Sequence, residues 1–121
     1  MESNHLQTPE YQVSVILLQI LEKLKEEPAA SKLKSAKVLA GNDSMRIMQY
    51  VLPIVMQVQM EVLKINGYED TRESLMKFTQ LVKDLEERDT AIKNLHDVLK
   101  SHYLPHVTVY HDKGSSLTLY D

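Results

Sequence analysis

Cysteine is absent, which rules out a disulfide framework, a thiolate zinc site and a cysteine nucleophile. Glycine and proline number only 3 and 4, too few for a collagen-like or Gly-rich architecture. No apolar run approaches the roughly 20 residues of a membrane span. The most apolar stretch, Val13 to Leu21, is interrupted by Ser14 and Gln19. Basic charge is also short: 14 Lys and Arg against 17 Asp and Glu leave a net charge of -3, which speaks against a nucleic-acid binder. A signal peptide would place basic residues before its apolar core and small residues after it. Here an acidic, polar segment leads, and Lys23, Lys25, Glu26 and Glu27 follow. With no cysteine as well, these features predict an intracellular protein. What is present suffices for one domain: 121 residues, 43% hydrophobic, able to build a core without cross-links.

The chain is punctuated at helix boundaries. Thr8-Pro9-Glu10 reads as an N-cap, a proline at the first helical position and an acid at the positive end of the dipole. Helix 1 is expected to run to Glu27, with Val13, Ile16, Leu17, Ile20 and Leu24 on one face. Helix 2 spans Ala29 to Ala40 and ends at Gly41. Asn42-Asp43-Ser44 supplies caps for a long central helix, Ser44 to Asn66, terminated by Gly67. Pro53 lies in its middle, lacks a donor and clashes with the carbonyl of Gln49, so a kink is predicted; two helices broken at Leu52 are the alternative. Asp70-Thr71-Arg72-Glu73 reads as a capping box led by Asp70. Helix 4 then carries Leu75, Phe78, Leu81, Val82 and Leu85. Asp89 caps helix 5, whose face is Ile92, Leu95, Val98, Leu99 and Tyr103, and Pro105 closes it. Short connections predict antiparallel neighbours. The fold class is therefore all-α: a small antiparallel bundle of four to five helices over residues 1–105. Residues 106–121 alternate Val and Leu with Thr and Tyr and read as a flexible C-terminal tail, with a weak hairpin around His111 to Gly114 as the alternative.

No catalytic, cofactor or metal site emerges. Gly41, Gly67 and Gly114 are isolated, so no phosphate-cradling loop is present. His96 and His102 fall on different helix faces, and His102, His106 and His111 straddle Pro105 without a common scaffold, so no metal site is expected. His102 is expected to pack its ring in the last turn of helix 5 and favour the negative helix end. His96-Asp97 imitates part of a triad only by count, because adjacent helical residues point about 100° apart. Asp84, Glu86 and Glu87 read as a solvated polar face.

The informative excess is apolar. Tyr11, Val15 and Leu18 recur at helical spacing on the side of helix 1 away from its main face. Met45, Met48, Met56 and Met60 form a stripe on the central helix, a pattern that serves either as core or as an adaptable binding surface. Together these residues are the candidate protein–protein interface.

From Asn42 onward the chain resembles the C-ten protein family, the camkinin-like small eukaryotic proteins of unknown function. The likeness runs through Asn42-Asp43, Gln49-Tyr50-Val51-Leu52-Pro53, Gln57, Gln59, Glu61-Val62, Lys64 and Gly67-Tyr68. It continues through Lys77-Phe78, Leu81-Val82-Lys83, Asp89, Ile92, Leu95, Leu99-Lys100 and Leu104-Pro105. The resemblance implies a cytoplasmic, non-enzymatic protein, an association with vertebrate brain development and a link to a calcium/calmodulin-dependent kinase. From residues and resemblance together, the expected function is a helical interaction protein, an adaptor or small subunit with a protein partner or a second copy of itself. An enzyme using His and carboxylate groups in a bundle cleft is the alternative.

Overall fold

The computed structural model describes residues 8–105. The readings placed on 106–121, a flexible tail or a hairpin, fall outside them. Among the described residues every regular element is helical: α1 (Pro9–Leu24), α2 (Ala29–Ala40), α3 (Ser44–Arg46), a π-helical turn (Ile47–Val51), α4 (Leu52–Ile65), α5 (Arg72–Glu86) and α6 (Thr90–Ser101). The π-helical turn joins α3 and α4 without a break, so the fold is a bundle of five rods.

Capping chemistry sets most of the boundaries. The backbone N–H groups of Tyr11, Arg46, Ser74 and Ile92 donate to the side chains of Thr8, Asp43, Thr71 and Asp89, each at 3.1 Å. Each bond satisfies a donor that the first helical turn leaves open. The cap of α5 is thus Thr71 rather than Asp70, one residue later than the capping-box pattern suggests. α1 stops at Leu24, three residues before the expected Glu27, because the last turn closes with three-residue bonds, from the Lys25 N–H to the Glu22 carbonyl and from the Glu26 N–H to that of Lys23. Gly67 ends α4 at φ +94°: its N–H bonds the Lys64 carbonyl, and the Tyr68 N–H reaches back to that of Leu63. That pair of bonds is a Schellman closure, which needs a left-handed residue between helix and exit. Pro105 lies beyond the α6 cap at His102, where the chain has already left the helix.

Pro53 sits inside the continuous rod, as the periodicity predicts, and the disturbance it causes is a π-helical turn. The Leu52 N–H bonds the carbonyl of Ile47, five residues back. The extra residue in the turn relieves the carbonyl that an α-helical proline would strike. It also keeps Ile47 and Val51 buried on one side of the proline and Val55, Val58 and Val62 buried on the other.

One apolar core links every rod, from Val13 and Leu17 in α1 to Ile92 and Leu99 in α6. α1 lies against α6, α4 and α2, while α5 packs on α4 and α6. Gln19 meets Asn66 and Lys23 meets Glu61, so α1 and α4 run antiparallel. Arg88 meets Glu10 at one end of the bundle, and His102 senses Lys25 at the other, so α1 and α6 run parallel. The antiparallel expectation concerns helices joined by short connections, which α1 and α6 are not.

Candidate interaction surface

α1 is apolar on two sides. Val13, Ile16, Leu17, Ile20 and Leu24 are buried in the core. On the outer side Tyr11 is 40% exposed and Leu18 is 50% exposed, with Val15 half-buried between them. α4 meets that outer side with Val62, which is buried, and Ile65, which is 72% exposed. Val15, Leu18, Val62 and Ile65 line an open groove of about 450 Å³ between the two helices. The groove is held at both sides. Asn66 donates to the Gln19 side chain at 2.7 Å and to the Val62 carbonyl at 2.8 Å. Lys23 pairs with Glu61 at 3.8 Å. Glu22 and Glu26 complete the rim on the α1 side. With Lys23 already facing Glu61, the lip presents net negative charge above an apolar floor.

The candidate residues thus divide. Tyr11, Val15 and Leu18 share one face, and Ile65 joins them, a residue that sequence reasoning missed because nearly the whole central helix is apolar. Met56 and Met60 are half-buried and pack on the core. Met45 and Met48 are 76% and 59% exposed at the start of the rod. At the helical rise Met48 lies about 25 Å from Ile65. The two therefore lie on the part of the rod that packs against α2, away from the groove. The π-helical turn explains the divided stripe: it shifts the helical register between Met48 and Met56.

Two polar features depart from the sequence reading. Glu86 does not belong to the solvated face of Asp84 and Glu87; its carboxylate accepts from Nδ1 of buried His96 at 2.8 Å. The signal was present, since Ile92, His96, Leu99 and Tyr103 recur at helical spacing, whereas Val98, assigned to that face, is 50% exposed. His102 does not act as a cation at the helix end. Burial, then the charges of Lys37 and Lys25, hold its pKa below the ordinary value, and its Nδ1 lies 2.9 Å from the Lys37 ammonium. Among the described residues no three His, Asp or Glu side chains converge as a metal site would require. No helix among them is long and apolar enough to cross a membrane.

A five-rod bundle with an open apolar groove and no assembled metal cluster among its described residues is a small all-α protein. The comparisons carry this further: the family model described as Protein C10 matches residues 9–116, and the chain belongs to that family. The match takes in α1 and α2, ahead of the point at Asn42 where the resemblance begins to be legible, and extends past Pro105. The chain is 34% identical over 98 residues to Protein C10 of Mus musculus and of Homo sapiens, covering 81% of this chain and 78% of each relative. It is 33% identical over 103 residues to Protein C10 of Xenopus tropicalis, covering 85% of this chain and 80% of that one. No solved structure matches.

Proposed function

We propose that the chain is a cytoplasmic, non-enzymatic interaction module whose α1–α4 groove receives an amphipathic helix of a protein partner. The observation that carries this reading is Leu18 and Ile65, half or more exposed on either side of the groove that Val15 and Val62 line. Burying one such side chain is worth ~1.5–3 kcal/mol, so two or three support a modest complex once association entropy is subtracted. The acidic lip chooses the partner: basic residues flanking the apolar stripe complement Glu22 and Glu26. A second copy seated face to face would bring carboxylates together, so the partner is a different chain.

The test uses a synthetic amphipathic helix of Leu and Lys, its Leu/Glu counterpart and a scrambled Leu/Lys control. The Leu/Lys helix should shift backbone amides of Val15, Leu18, Val62 and Ile65 at micromolar to millimolar concentration, and the other two should not. Leu18→Glu with Ile65→Glu, both at exposed positions, should keep the melting curve and abolish those shifts. Equal binding of all three peptides, or binding that survives the double variant, would overturn the proposal. So would a dimeric mass that the same variant converts to monomer, which would make the occupant a second copy.

A further inference from the structure

A separate cavity of about 360 Å³ opens where α4, α5 and α6 meet beside α1. Its apolar wall includes Leu17, Met56, Phe78 and Leu99, and its polar groups include Gln59 and His96. Gln59 is 7% exposed, yet no group among the described residues bonds its side-chain amide. Among those residues, no side-chain nitrogen or oxygen shut off from solvent lacks a partner. The Gln59 amide therefore keeps access to open space, and the space it lines is this cavity. Leaving a carboxamide unpaired in an apolar wall is costly, and a leucine would fill the same volume without that cost.

His96 makes the same point from α6. It is 5% exposed, and its Nδ1 lies 2.8 Å from Glu86 Oε1. A carboxylate only accepts, so Nδ1 carries the hydrogen, and whenever the ring is neutral Nε2 is an acceptor. Nε2 has no partner among the described residues and by the same accounting opens to the cavity. The lining thus offers an amide that both donates and accepts and, with the ring neutral, an acceptor backed by a carboxylate. The Glu86 carboxylate behind the ring disfavours an anion at His96; Lys83 also lines the cavity, so a carboxylate ligand is the direct competitor. At the ~30 Å³ that a water occupies in the liquid, the cavity has the volume of about twelve waters, enough for a molecule of roughly a dozen heavy atoms.

We propose that this cavity binds a small uncharged molecule with an apolar body and a carboxamide head, which donates an N–H to His96 Nε2 and accepts from the Gln59 amide. The inference stands apart from the groove and its partner. The test titrates the isotopically labelled full chain with 4-phenylbutanamide, its carboxylate analogue 4-phenylbutanoate and its N,N-dimethyl amide, read by amide and methyl shifts. The primary amide should bind with Kd about 1 mM, the scale for a fragment of this size, and shift Gln59, His96, Met56 and Leu99. The carboxylate and the dimethyl amide should bind at least tenfold more weakly. Gln59→Leu should melt no lower than the parent and lose at least tenfold in affinity for the primary amide. No saturable shift up to about 10 mM, equal binding of the dimethyl amide or carboxylate, or undiminished binding to a folded Gln59→Leu would each overturn the proposal. The ligand series decides the matter without any variant.

Discussion

Single polar contacts differ widely in weight. Glu73 and Lys77 form an ion pair at 3.4 Å with both side chains more than three-quarters exposed. Removing it should change stability by no more than about 0.5 kcal/mol, within the usual range for exposed helical pairs. Glu86→Ala should cost about 1–3 kcal/mol in chemical denaturation, because it strands a buried His96 N–H without its acceptor. Gly67→Ala should cost about 1–2 kcal/mol. Space is not the reason, since no atom stands within 4 Å of where a Cβ would lie, but φ is +94° there. His102 adds a pH dependence. Its folded pKa lies below its unfolded one, so the unfolded chain takes up this proton first as pH falls. The stability it contributes is present above about pH 6.5 and is lost as pH drops from there through the folded value. Between about pH 7.5 and 5.5 the melting temperature of the parent should fall further than that of His102→Asn.

At the scale of the element, Pro53 shows what periodicity reveals and what it hides. The rod through the proline is legible because apolar spacing continues on both sides. The π-helical turn is not, because an inserted residue changes which faces align without changing which residues are apolar. Met45 and Met48 thus read as one stripe with Met56 and Met60, although the rod separates them. The turn is held by packing as well as by proline, since an α-helical register would rotate buried Ile47 and Val51 away from α2. Pro53→Ala should therefore keep the π-helical turn and alter stability by less than about 1 kcal/mol, checked by backbone shifts and amide exchange over residues 46–54. Caps were legible for the same local reason that makes them work: Thr8, Asp43 and Asp89 each act on a donor three residues ahead. His96 and Glu86 were less so, because a buried pair ten residues apart depends on how two helices meet.

Among the described residues one core receives side chains from every rod. Unfolding should accordingly be one cooperative event, with coincident midpoints for far-ultraviolet circular dichroism and for amide signals in α2 and α6. An earlier transition in α2 would show that its four buried residues, three of them alanine, leave it a separately melting unit.

The parallel course of α1 and α6 has a geometric consequence. Thr8 lies at the pole marked by Arg88 and Glu10, whereas the chain passes Pro105 at the pole of Lys25 and Lys37. Sixteen residues of α1 separate these poles, about 24 Å at the helical rise. Thr8 and Pro105 themselves therefore stand at opposite poles of the bundle. A peptide stitching those two points together would need at least seven or so fully extended residues, so a circular permutant of the bundle requires a linker of that length.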